Sequence, residues 1–162
     1  MATTTATATP TIPDTLAKLR IRLTALGDGR DARSDNERAA YRSNYDTTQR
    51  CISGLMNAPD DLADAQRRLA DAEAQRAAWL AKEAEIEQAI ATAPERDKEM
   101  RQRQLQLLRN GVLFVAPGVT LGSLSYIEGR IAELTGERDR AQSALDAHLK
   151  QAAALLAVPV AT

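Results

Sequence analysis

Leucines at positions 16, 19, 23 and 26 open the first regular pattern of the chain, with spacings of three, four and three that place them on one helical face. Asp14 stands where a cap would, and Gly27 where a left-handed stop would end the helix. A helix this short is marginal in water on its own, so it must dock. Tyr41, Tyr45, Thr48, Ile52 and Leu55 form a second stripe. Ser34 and Glu37 fit a capping box at its start, and Pro59 predicts that it ends near Asn57.

From Leu62 the pattern changes to heptads. Leu62, Ala65, Leu69, Ala72, Arg76, Trp79, Glu83, Ile86, Ile90 and Ala93 occupy a and d positions, of which only Arg76 and Glu83 are polar. Buried polar residues at such positions fix register at some cost in stability. Thr92, Pro94 and Glu95 fit a kink or a restarted helix with Thr92 as cap, and the seam resumes through Met100, Gln104 and Leu107 until Asn110-Gly111 stops it. Ser125 and Glu128 predict a capping box for a second long heptad, Leu124, Ile127, Ile131, Leu134, Arg138, Ala141, Leu145, His148, Ala152 and Leu155. Between the two heptads, residues 112 to 115 and 119 to 121 are β-prone runs flanking Ala116-Pro117-Gly118, whose Pro-Gly pair suits a type II turn.

These patterns predict an all-α fold: a long antiparallel coiled-coil hairpin with a short β-prone apolar tip, preceded by two shorter helices and an extended N-terminal arm. The expected boundaries are an extended or disordered Thr/Ala/Pro arm at 1–13, two short helices at 14–57, a hairpin at 58–158 built from 60–109 and 123–157 with its tip at 110–122, and a tail at 159–162.

Composition narrows the chemistry. Five aromatics in 162 residues are few for a thick core, and the Ala and Leu content suits narrow helix seams. The formal net charge of -1 lacks the basic excess of a dedicated nucleic-acid binder. Cys51 and His148 are the only residues of their kinds, so neither an intrachain disulfide nor a Cys/His zinc site forms within one chain. Cys51 reads as a small buried apolar residue, with no histidine near it in sequence, and His148 as a seam residue. The Thr/Ala/Pro start has no basic region followed by an apolar run, and no stretch approaches the roughly 20 apolar residues of a membrane span.

No catalytic residues, cofactor or metal are expected. The glycines at 111, 118 and 122 match no phosphate-cradling pattern. The aspartates of "GDGRDARSDNE" depart from calcium-loop order, with arginines among the would-be ligands. Glu83, Glu85 and Glu87 are two apart, do not face one another, and read as a solvated face. Two candidate sites remain. Val112, Leu113, Phe114, Val115, Val119 and Leu121 form an apolar protein-interaction surface, because a hairpin end has little of its own to bury them against. Arg96, Lys98, Arg101, Arg103 and Arg109 form a candidate basic contact for nucleic acid or an acidic partner, although interleaved Glu95, Asp97 and Glu99 blunt their field.

The order helix, short β-hairpin, helix over residues 60 to 157 resembles the β-type subunits of prefoldin chaperones, which implies a coiled-coil tentacle and a hairpin that serves as assembly platform. The composition is also similar to the antiparallel coiled-coil stalk proteins of bacterial export machines. A short chain with a polar arm and no chemistry looks like a bacteriophage virion component, capsid-associated or connector. The sequence therefore predicts a non-enzymatic assembly protein, homo-oligomeric and bound to other structural proteins, in the cytoplasm or in a virion. A chaperone or export stalk is the alternative, and a nucleic-acid-binding accessory protein the third reading.

Overall fold

A computed structural model describes residues 11–28, 34–116, 119–120 and 122–160, with side chains omitted at 114–116 and 119–120. The protein is helical: α1 (Ile12–Asp28), α2 (Asp35–Thr92), α3 (Glu95–Arg109) and α4 (Leu124–Ala157), with two short strands, β1 (Phe114–Ala116) and β2 (Val119–Thr120), between α3 and α4. It divides into two compact units, one formed by Met1–Leu62 with Ala141–Thr162 and the other by Ala63–Arg140. Residues 1–10 of the expected arm and 161–162 of the tail lie outside the described residues, as do 29–33 of the aspartate-rich turn.

In the first unit, α1 lays its leucine stripe against α2 and α4. Leu19 and Leu55 are fully buried, joined by Ile52, Leu145 and Ala152 in one apolar cluster against which Leu16, Leu23 and Leu149 pack. Helix α1 begins two residues before the expected Asp14. Thr11 is its cap: its hydroxyl accepts from the Asp14 N–H at 3.3 Å and donates to the Asp14 carboxylate at 2.7 Å, which places Asp14 in the first turn. Gly27 is helical, with no left-handed φ, and lies within contact distance of Tyr45. The Ser34 box forms in part, with Glu37 accepting from the Ser34 N–H at 3.0 Å and from its hydroxyl at 2.7 Å.

Cys51 is fully buried, and burial pushes its thiol pKa up. The lone histidine, distant in sequence, does come next to it, but through its backbone: the thiol donates to the His148 carbonyl at 3.6 Å. The His148 ring lies instead over Gly54, where any added Cβ would overlap it. Arg22, only 8% exposed, donates to the Val158 carbonyl just beyond α4, where helix-end carbonyls lack partners and the dipole favours a cation.

The helix expected to stop near Asn57 does not stop. Helix α2 runs 58 residues with Pro59 inside it. A proline there has no N–H for the carbonyl four residues back and normally costs about 3 kcal/mol. Leu55 and Ala58 on one side of it and Leu62 on the other all pack into the same cluster, and this burial holds the helix through the defect. Replacing Pro59 by Ala restores the backbone bond while freeing the unfolded chain slightly, so Pro59→Ala is expected to stabilise by about 2 kcal/mol. In a thermal melt that is a rise of roughly 4–8 °C; a fall would mean that the proline shapes the packing around it.

In the second unit the heptad positions of α2 face inward as spaced: Ala65, Leu69, Ala72, Trp79 and Ile86 are buried, as are Ile127 and Leu134 of α4. Arg68 pairs with Glu137 at 2.8 Å and Arg76 with Glu128 at 3.4 Å, so the partner number on α4 falls as α2 advances. The two polar heptad residues are not buried register pins. Arg76 is half-exposed toward Glu128, and Glu83 turns to Arg109.

Residues 60 to 109 do not form a single arm either. Helix α2 ends at Thr92, whose hydroxyl donates back to Gln88 rather than capping forward, and α3 starts behind Pro94 with no side-chain cap bond. Helix α3 then returns along α2. Leu105 and Leu108 pack with Trp79, Ile86 and Ile90, while Met100 and Leu107, the expected seam residues, stay exposed.

Candidate interaction surface at the α3 to α4 connection

The return of α3 ends in a turn that the sequence sets locally. Asn110 closes the helix and Gly111 takes φ +71. The Gly111 N–H donates to the Leu108 carbonyl at 2.9 Å and the Val112 N–H to the Leu107 carbonyl at 3.0 Å, the paired bonds of a Schellman ending. Glycine is required twice here. The left-handed φ disfavours any Cβ, and a Cβ would also overlap the backbone nitrogen of Ser123 and meet the Gly122 carbonyl carbon at 2.9 Å. Ser123, not Ser125, caps α4: its hydroxyl accepts from the Tyr126 N–H at 3.4 Å, and Glu128 is drawn across to Arg76 instead.

Between these two helix ends the chain turns back on itself. Strands β1 and β2 pair antiparallel, with Phe114 opposite Thr120 and Ala116 opposite Val119, and an irregularity between the two pairs. Of the apolar interaction residues, Leu113 packs into the Trp79 cluster and Val112 is 50% exposed. The side chains of Phe114, Val115, Val119 and Leu121 lie outside the described residues. Met100 at 56% exposure and Leu107 at 38% share the outer face of α3, with Arg103 between them. Sequence reasoning assigned both to the seam and so missed them as surface; the Leu105 and Leu108 spacing was the available signal.

The basic residues do not act together. Lys98 pairs with Glu95 at 2.8 Å, Arg96 approaches Asp97 at 3.8 Å, and Arg109 binds Glu83 at 2.9 Å and Glu87 at 3.0 Å. Glu83 and Glu87, four apart, do share a face, and α3 supplies the cation between them. Arg101 and Arg103 have no ion pair among the described residues. Arg101 lines a cleft of about 320 Å³ between α2 and α3 with Lys82, Glu85, Ile86, Ala89, Gln104 and Leu113. Its Nε–H is sealed from solvent and has no hydrogen-bond partner among the described residues. Leaving a buried donor unsatisfied costs about 1–3 kcal/mol, more for a charged group. This cleft has no local sequence signature, because its walls come from helices that double back.

Gly111→Ala is expected to lower stability by about 2 kcal/mol or more, from the left-handed φ alone plus the backbone overlap, as read by urea unfolding. The Arg109 bridge is half-exposed, so a double-mutant cycle on Arg109→Ala and Glu83→Ala should give a coupling of about 0.5–1 kcal/mol that shrinks in high salt. A salt-insensitive coupling would contradict a solvated clamp. Comparison with protein families, with curated proteins and with solved structures gives no match for this chain.

Proposed function

We propose that the protein is a non-enzymatic assembly protein that oligomerises and binds neighbouring structural proteins through the segment between α3 and α4 and the adjoining outer face of α3. The observation that carries this reading is the exposure of Met100, Leu107 and Val112 beside the buried Leu108 and the partly buried Leu105 and Leu113. Side chains that alternate between a core and open solvent in this way leave an exposed strip in which apolar residues flank Arg103, the kind of surface that partners cover. A two-stranded ribbon with unpaired edges adjoins the strip, and such edges accept further strands.

In this reading α2 and α4 form an antiparallel coiled-coil pair, supported by the Arg68–Glu137 and Arg76–Glu128 ion pairs, and the connection between α3 and α4 is the binding end. A capsid-associated or connector role in a bacteriophage virion is the setting that the sequence reading favours. The return of α3 separates this chain from the uninterrupted tentacle of a prefoldin-like chaperone or an export stalk. The nucleic-acid reading loses support because Arg96, Lys98 and Arg109 already hold acids.

Light scattering over a concentration series, with circular dichroism on the same samples, tests the proposal. The unaltered protein is expected to form a discrete helical oligomer, and Leu107→Asp, Val112→Asp or Phe114→Asp to reduce it to monomer with helicity retained. A wild-type monomer at every concentration, or variants that keep the full mass, would sink the oligomer. Salt-sensitive nucleic-acid binding lost on Arg103→Glu would move the assignment to the basic face.

A further inference from the structure

The cleft between α2 and α3 holds an unbalanced charge. Lys82 and Glu85 cancel within it, the ammonium lying 2.9 and 2.8 Å from the two carboxylate oxygens. Glu83 and Glu87 turn to Arg109 instead. The guanidinium of Arg101 is thus left as the uncompensated charge of the cleft, on the same helix face as Gln104 one turn later. Its Nε–H is closed to water and donates to nothing among the described residues. Ile86, Ala89 and Leu113 line the rest, and Ile86 and Leu113 continue inward to the cluster around Trp79.

We propose that this cleft is a binding site for a single carboxylate joined to a short apolar chain. The guanidinium fork matches a carboxylate through two parallel hydrogen bonds, and a monoanion completes the charge of the site without excess. Gln104 can donate a further bond from its amide. The apolar part of the ligand covers Ile86, Ala89 and Leu113. At about 320 Å³ the cleft stands at the small end of ligand sites, which sets the size at a short-chain acid or one acidic side chain with its neighbouring carbons. The inference rests on a different surface from the exposed strip of Met100, Leu107 and Val112, and the two readings share only the segment that holds Leu113.

Titration of the full chain with hexanoate, followed by calorimetry and by the fluorescence of Trp79, reads the site directly. Saturable binding is expected, weakened about tenfold or more by Arg101→Gln and less by Arg101→Lys, which keeps the charge without the fork. Hexanol and inorganic phosphate are each expected to bind more weakly than hexanoate. Circular dichroism melts of both variants check that the fold is intact. Absence of saturation, equal affinity for phosphate, or folded variants that bind as wild type would overturn the proposal. Light scattering on Arg101→Gln separates the two sources of the carboxylate. An unchanged mass alongside lost hexanoate binding assigns the site to a free acid, and loss of the oligomer together with hexanoate binding assigns it to a carboxylate of a second copy.

Discussion

Helix α2 runs 58 residues with an apolar stripe along it, and packing of that stripe, more than backbone bonding, stabilises such a helix. Every other helix is placed to supply that packing. In the first unit, α1 and the end of α4 close over Ile52 and Leu55. In the second, α3 and the start of α4 close over Trp79 and Ile86. The recipe is the same in both: a pair formed by α2 and α4, and a third helix that completes the core. Where the third helix is absent, the core shrinks to Leu69, Ala72 and Leu134, with Ile131 packed against them. Alanine at heptad positions is what lets two helices close without a third.

Charge does a different job from burial here. The ion pairs between α2 and α4 and those between α2 and α3 join half-exposed side chains, so each contributes little to stability. They select the alignment. A shift of one turn between α2 and α4 would part Arg68 from Glu137 and Arg76 from Glu128 together. Arg109 similarly fixes where α3 lies, since only one position along α2 offers two glutamates four apart.

The spacing of α2 beyond Leu62 and of α4 was legible in the sequence, and the buried residues of those segments fall on predicted seam positions. Periodicity reads well wherever the core lies on one side of a long helix. The helix ends read less well because capping is a contest between neighbours: Thr11 and Ser123 cap in place of Asp14 and Ser125. Pro59 was misread for another reason. A local cost of about 3 kcal/mol is decisive in an exposed helix, but the packing of buried Leu55 and Ala58 before it and partly buried Leu62 after it outweighs that cost, and burial is not visible in the sequence. The direction of α3 was illegible altogether. Thr92-Ala93-Pro94 permits a kink or a reversal, and the choice is made by Leu105 and Leu108 meeting Ile86 and Trp79 across sequence distances that no local pattern encodes.

The reversal of α3 also decides which residues the candidate interaction surface holds. Were residues 60 to 109 one arm, Met100 and Leu107 would be seam residues and the candidate interaction surface would be confined to the connection after Asn110. By folding back, α3 spends Leu105 and Leu108 on the core and turns Met100 and Leu107 outward, so the apolar surface extends along the helix. The same reversal brings Arg101 and Gln104 opposite Lys82 and Glu85 and forms the cleft. The Schellman turn at Gly111 then fixes the junction, because its left-handed φ and its closeness to Ser123 leave the backbone no slack there. Val112 and Leu113 part at this point, one outward and one into the core, so the chain leaves α3 already anchored on the side that faces its own helices. In the proposed reading, a partner covering Val112 meets a residue whose neighbour Leu113 is already packed against the Trp79 cluster.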